Sequence, residues 1–139
     1  MVQLIVGNKG KGKTKCLLDK VNTEVKNILG NVVYLDKSTS HMYELNNKIR
    51  LISVPDFDVH NTDEFIGFVL GIISQDHDLE QMYFDSFLAI ASLEGKDITD
   101  TVRHIQAMSE KYGVDFVVSV SMDESQIPDE VKPLIAISL

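Results

Sequence analysis

Gly7-Asn8-Lys9-Gly10-Lys11-Gly12-Lys13-Thr14 follows the apolar run Val2-Gln3-Leu4-Ile5-Val6 without a gap. The octet fits G-x-x-x-x-G-K-[ST], a glycine-rich turn that leaves a strand and opens a helix. Such a turn can aim successive backbone N–H groups at a polyphosphate, whose charges must be matched away from water, and side chains would obstruct that approach. Lys13 is then expected to reach the outer phosphates as a point charge. The Thr14 hydroxyl is expected to ligate Mg2+, a cation that takes oxygen ligands and keeps most of its waters. Gly7, Asn8, Lys9, Gly10, Lys11, Gly12, Lys13, Thr14 and Lys15 form the candidate phosphate cradle, with Lys9, Lys11 and Lys15 adding positive charge around it. The bland alternative is a surface turn linking a strand to a helix.

Working outward, Leu17, Leu18, Val21, Val25, Ile28 and Leu29 recur at helical spacing over residues 13–29, with Gly30 as the stop. Residues 31–36 and 49–54 read as short buried strands, the second stopped by Pro55. Asn61 with Glu64 three places on marks a helix start, and the helix is expected to run to about Ser74. Its centre, residues 65–73, carries no charge and is too short for a bilayer, which needs about twenty apolar residues. It is therefore expected to bury on a sheet or to form an oligomer contact, with Gly67 and Gly71 packed closely in a core. Residues 82–85 read as a strand ending in an acid. Residues 97–112 read as a helix with Ile98, Val102, Ile105, Met108 and Tyr112 on one stripe and Gly113 as its cap. Residues 114–121 read as a further buried strand; in the tail, Pro133 interrupts any helix, while residues 134–139 could form a last strand. Strands alternating with helices predict an α/β fold in three layers: a mainly parallel sheet of five strands, covered on both faces, with ligands at its carboxyl edge.

A chain of 139 residues, 44% hydrophobic, suits one well-buried core and one domain, residues 1–139. Its formal charge of −8 argues against a sequence-independent grip on nucleic acid. Cys16 is the only cysteine, which excludes an internal disulfide or a thiolate zinc site. The start lacks the basic region and long apolar core of a secretory signal, so a cytoplasmic location and no membrane span are expected.

A magnesium nucleotide site also needs a carboxylate at the end of a neighbouring buried strand. Asp85, after Met82-Tyr83-Phe84, is the first choice, to hold the metal through its water shell. Asp56, after Pro55, competes with it, and Asp36 is a third candidate; either could bind a second substrate or position water. No hydrolytic base is evident beside Asp85, which Ser86 follows. Arg50 and Arg103 are the only arginines that could stabilise a transferring phosphate, and surface charge is the simpler reading of both. Ser119 and Ser121 either sense a terminal phosphate or, the favoured reading, end a strand. His41, His60, His77 and His104 lack the i, i+4 spacing of a helical metal pair. Residues 87–91, Phe-Leu-Ala-Ile-Ala, set an apolar patch after Asp85 that could pack beneath the site, line a base pocket or face a partner.

Through Gly7 to Thr14 and Asp85 the chain resembles the P-loop nucleoside triphosphatase superfamily, with Asp85 in the Walker B position. The order of elements is most similar to the RecA-type and thymidine-kinase-like branch. The opening residues and the short length resemble a group of short clostridial ATP-binding proteins often labelled "twitching motility", although this chain is far too short for a pilus-retraction motor. Thymidine kinases of this type carry paired cysteines for zinc, which one cysteine cannot supply. Corrinoid adenosyltransferases share a similar loop but are longer and have an acidic pair after the Walker B strand. Guanine recognition uses Asn-Lys-x-Asp, and Asn47-Lys48-Ile49-Arg50 lacks the aspartate. The resemblance thus implies binding of a nucleoside triphosphate, ATP over GTP, with Mg2+ and slow hydrolysis at most. Lys13 and Asp85 would be the catalytic pair, and Thr14 and Asp85 the metal residues. Two alternatives stand beside it: a phosphotransferase acting on a small-molecule acceptor near Asp36 or Asp56, and a regulatory module whose nucleotide occupancy reshapes residues 87–91 for a protein partner.

Overall fold

The computed structural model describes all residues from 1 to 139. In chain order the elements are β1 (Val2–Val6), α1 (Lys13–Glu24), β2 (Asn31–Asp36), β3 (Ile49–Ser53), α2 (Thr62–Gln75), β4 (Leu79–Phe84), α3 (Phe87–Ile90), α4 (Thr99–Tyr112), β5 (Asp115–Val120) and β6 (Ile135–Ser138). The strands form one six-stranded sheet in the order β3-β2-β4-β5-β1-β6, and every neighbouring pair is parallel. No helix is long and apolar enough to cross a membrane.

The pleat sorts consecutive strand residues to opposite faces. Ile5, Val32, Tyr34, Tyr83 and Val117 lie in one core cluster with Leu17, Leu18 and Val21 of α1. Leu4, Val33, Leu35, Met82, Phe84, Phe116 and Val118 lie in the other, with Phe65 and Val69 of α2 and Val102, Ile105 and Met108 of α4. Aromatic rings fill the second cluster: Phe65 meets Phe84 edge-on at 5.2 Å between centroids, and Phe84 meets Phe116 at 5.4 Å. Helix α1 covers one face, and α2 and α4 the other; because every pair is parallel, all strand carboxyl ends, and the turns that follow them, share one edge.

The sheet has six strands, not five. Pro133 lies in a single tight turn, Lys132–Leu134, at a position where its missing N–H costs nothing, and the chain resumes extended beside β1. The first helix stops at Glu24, short of residue 29, and passes into a turn at Val25–Asn27, so that Leu29 is fully exposed. Gly30 does not end that helix: a Cβ there would stand 2.1 Å from the Asp78 carbonyl oxygen, so glycine is required where the chain enters β2 against β4. Asn61 caps α2 as expected, its Oδ1 accepting from Glu64 N at 2.9 Å, while the Glu64 carboxylate reaches back to His60 N at 2.7 Å. The uncharged centre of α2 buries Phe65, Ile66 and Val69 on the sheet, whereas Gly67 and Gly71 face open space and make no close packing. Tyr112 leaves the buried stripe of α4 and is 43% exposed, with the Lys111 ammonium 5.4 Å from its ring centroid. Gly113 ends α4 in the left-handed conformation that its lack of Cβ permits.

Candidate functional site

The turn after β1 and the first residues of α1 line a cleft of about 520 Å³ at the carboxyl edge of the sheet. Gly10 and Gly12 take φ of 84° and 96°, a region that strains any residue with a Cβ. Gly12 is also the N-cap of α1 and offers no side chain to its first N–H groups. From Asn8 to Lys15 no backbone N–H donates to a protein acceptor, whereas Gly7 N is tied to Met122 O at 2.8 Å and Cys16 N to Gly12 O at 3.1 Å. A run of unpaired donors thus lies along the turn and the opening of α1.

Lys13 is 7% exposed, and its Nζ donates to Asn8 O at 3.1 Å. Burial lowers its pKa from the usual lysine value, the Asp85 carboxylate works against that, and Lys9 adds to the lowering. Thr14 donates its hydroxyl proton to Asp85 Oδ1 at 3.2 Å, a contact between residues 71 apart in the chain.

Asp85, one residue beyond β4, is 2% exposed and held on every side. Its Oδ1 also accepts from Ser119 Oγ at 2.9 Å and from Ser86 N at 2.9 Å, and its Oδ2 accepts from Tyr34 OH at 2.8 Å. Sheet order explains these partners, because β4 runs between β2, which carries Tyr34, and β5, which carries Ser119. Burial, followed by the Asp85 charge, pushes the Tyr34 hydroxyl far above the usual tyrosine range, so it remains a donor. Ser86 adopts φ 56° and ψ 48°, and its N–H also donates to Ser119 Oγ at 3.0 Å.

Asp36 ends β2 beside Asp85 and is 2% exposed. Its Oδ1 accepts from Lys37 N at 2.7 Å, and its buried Oδ2 has no partner. Burial first and the Asp85 charge second raise its pKa above the usual aspartate value.

Of the residues singled out from the sequence, Lys9, Gly10, Gly12, Lys13, Thr14, Asp85, Ser119 and Ser121 line the cleft. Gly7, buried against Leu139, and Asn8 are outside the lining, although the Asn8 carbonyl holds Lys13. Lys11 and Lys15 are exposed and outside the lining. Asp56 is exposed in the turn Val54–Phe57 after the edge strand β3, and Arg50 is exposed on that strand; neither reaches the cleft. Arg103 is paired with Glu130 at 3.1 Å instead. No group of three or more His, Cys, Asp or Glu is placed to hold a metal.

Sequence reading missed Tyr34, Lys37 and Glu94. The first touches Asp85 and the other two line the cleft, as do Leu88 and Ala89 of the apolar stretch after Asp85. Their roles depend on strand order and loop course, which leave no local pattern.

Comparison with protein-family models and with curated proteins finds no match for this chain. Unpaired main-chain donors, a buried ammonium and a hydroxyl whose proton is committed to a carboxylate suit anionic oxygens accompanied by a hard cation.

Proposed function

We propose that the chain binds a magnesium nucleoside triphosphate, ATP in preference to GTP, in a P-loop type of site at the carboxyl edge of the sheet. The observation that carries this reading is the 3.2 Å contact of Thr14 Oγ1 with Asp85 Oδ1, at the end of a loop whose N–H groups have no protein acceptor. With its proton turned to Asp85, the Thr14 oxygen has its lone pairs free for a cation, and Lys13 supplies a desolvated positive charge for phosphate oxygens. When bound, Mg2+ would neutralise charge on the outer phosphates. Asp85 would orient the Thr14 hydroxyl, and Lys13 would hold the terminal phosphate in place. Turnover by water is slow at most, because the residue after Asp85 is Ser86 and Arg103 is occupied elsewhere. The cytoplasm, where nucleoside triphosphates are abundant, is the location this reading assigns.

A second reading, transfer of a phosphoryl group to a small-molecule acceptor, is favoured by the unpartnered Oδ2 of Asp36, which is buried next to Asp85 and outside the cleft lining. An acceptor hydroxyl would give such an oxygen a donor. Acceptor-dependent product would separate transfer from simple hydrolysis.

Calorimetric titration of ATP with Mg2+ into Lys13→Ala tests the main reading. Removing one partner of a desolvated charge contact costs about 2–5 kcal/mol, so affinity should fall by roughly thirtyfold or more while the fold persists. Affinity equal to that of the parent protein would refute it.

A further inference from the structure

We infer that Tyr34 sets the cation preference of the site, its hydroxyl keeping Asp85 from ligating a metal directly and thereby favouring hydrated Mg2+ over Ca2+. The inference rests on the reading that Thr14 and Asp85 serve a cation.

Tyr34 is fully buried in the core beneath α1, its ring stacked on that of Tyr83 at 6.2 Å between centroids and 12° between planes. Phenylalanine would fill the same space, so packing does not explain the hydroxyl, and burying a hydroxyl without a partner is costly. Its partner is Asp85 Oδ2, at 2.8 Å, and no other protein donor reaches that oxygen. Oδ1 is occupied by Thr14, Ser119 and Ser86. An ionised carboxylate offers about four lone-pair sites. Three donors crowd the two sites of Oδ1, and Tyr34 alone holds Oδ2, the oxygen that could otherwise turn to an ion.

The two cations respond differently to such a carboxylate. Mg2+ demands a near-octahedral shell and gives up water reluctantly, so one hydroxyl, phosphate oxygens and waters serve it well. Ca2+ takes more oxygens in looser geometry and gains readily from a carboxylate in direct contact. Withholding Asp85 Oδ2 costs the second ion more than the first. Partners that orient a metal-site group commonly change metal affinity by about 10–100-fold when removed.

The test uses the full chain, ADP as the nucleotide, and Mg2+, Ca2+ or EDTA in parallel calorimetric titrations. The parent protein should bind ADP more tightly with Mg2+ than with Ca2+. In Tyr34→Phe the ratio of the two affinities should move toward Ca2+ by about tenfold, with affinity in EDTA unchanged. Tyr83→Phe, which loses only the 2.9 Å bond to Gln81 Oε1, should keep the parental ratio. An unchanged ratio in Tyr34→Phe, or equal losses with both cations, would overturn the inference, since a packing role would weaken both alike. Equal support by the two cations in the parent protein would overturn it without any variant. Absence of any cation-dependent ADP binding in the parent would instead sink the nucleotide reading, and this inference with it.

Discussion

Asp85 and Asp36 end adjacent strands at the head of the sheet, yet four donors surround the first and only the Lys37 N–H serves the second. A carboxylate oxygen buried without a partner costs stability once the group ionises. The pKa of Asp36 is raised in the folded state, first by burial and then by Asp85, so the folded protein binds more protons than the unfolded chain between the usual aspartate value of 3.8 and the raised one. Stability contributed by this residue therefore falls as pH rises through that window, and the cost persists above it. Asp36→Asn should make the ligand-free protein more stable by about 1 kcal/mol near pH 7 in denaturant melts, with the gap closing as pH is lowered toward 4. A variant less stable than its parent, or a gap independent of pH, would show that Oδ2 is satisfied in solution. At this scale the sequence disclosed what local pattern carries: Gly10, Gly12, Lys13 and Thr14 in the cleft lining and an acid after β4. It did not disclose that Tyr34 touches Asp85 or that Asp36 is half-satisfied, because both follow from which strands are neighbours.

Element boundaries were legible where a stop is chemical and obscure where it is set by packing. Asn61 and Gly113 act through their own side chain or its absence, and both mark the ends of α2 and α4 in the sequence as in the structure. Gly30 looked like the same kind of signal but answers to Asp78 across the sheet. The contrast with Gly67 makes the distinction measurable. Gly67 sits on the exposed side of α2 with open space around a Cβ, so Gly67→Ala should stabilise by about 0.5–1 kcal/mol through helix propensity. Gly30→Ala forces the backbone at the start of β2 away from Asp78 and should destabilise by about 1–3 kcal/mol or more. Thermal melts of the two variants should move in opposite directions. Equal, small effects would mean that the β2 entry yields freely. The sixth strand stayed ambiguous for a related reason: Pro133 breaks the local pattern, and it is pairing with β1 that makes the residues after it a strand.

Across the whole molecule, the alternation of strands and helices was enough to anticipate a parallel sheet covered on both faces, but not its order. That order places β5 between β1 and β4 and carries Ser119 to Asp85. It also brings the start of α1 and the end of β4 together, so that Thr14 meets Asp85. A cluster of lysines around the loop, set in a chain of net charge −8, gives the cleft a local attraction for anions. If the cleft takes a magnesium triphosphate only in the folded state, ligand and folding are linked, and stability rises by about 2.7 kcal/mol at a hundredfold excess over Kd. For a chain of this size that corresponds to an increase in Tm of about 5–10 °C. The shift should be largest with ATP and Mg2+ together, smaller with ATP in EDTA, and negligible with adenosine, because the contacts assigned to the loop are all to phosphate oxygens. A shift as large with adenosine as with ATP would move binding away from the loop to the apolar wall near Leu88 and Ala89, and no shift with any of them would remove the nucleotide from the account altogether.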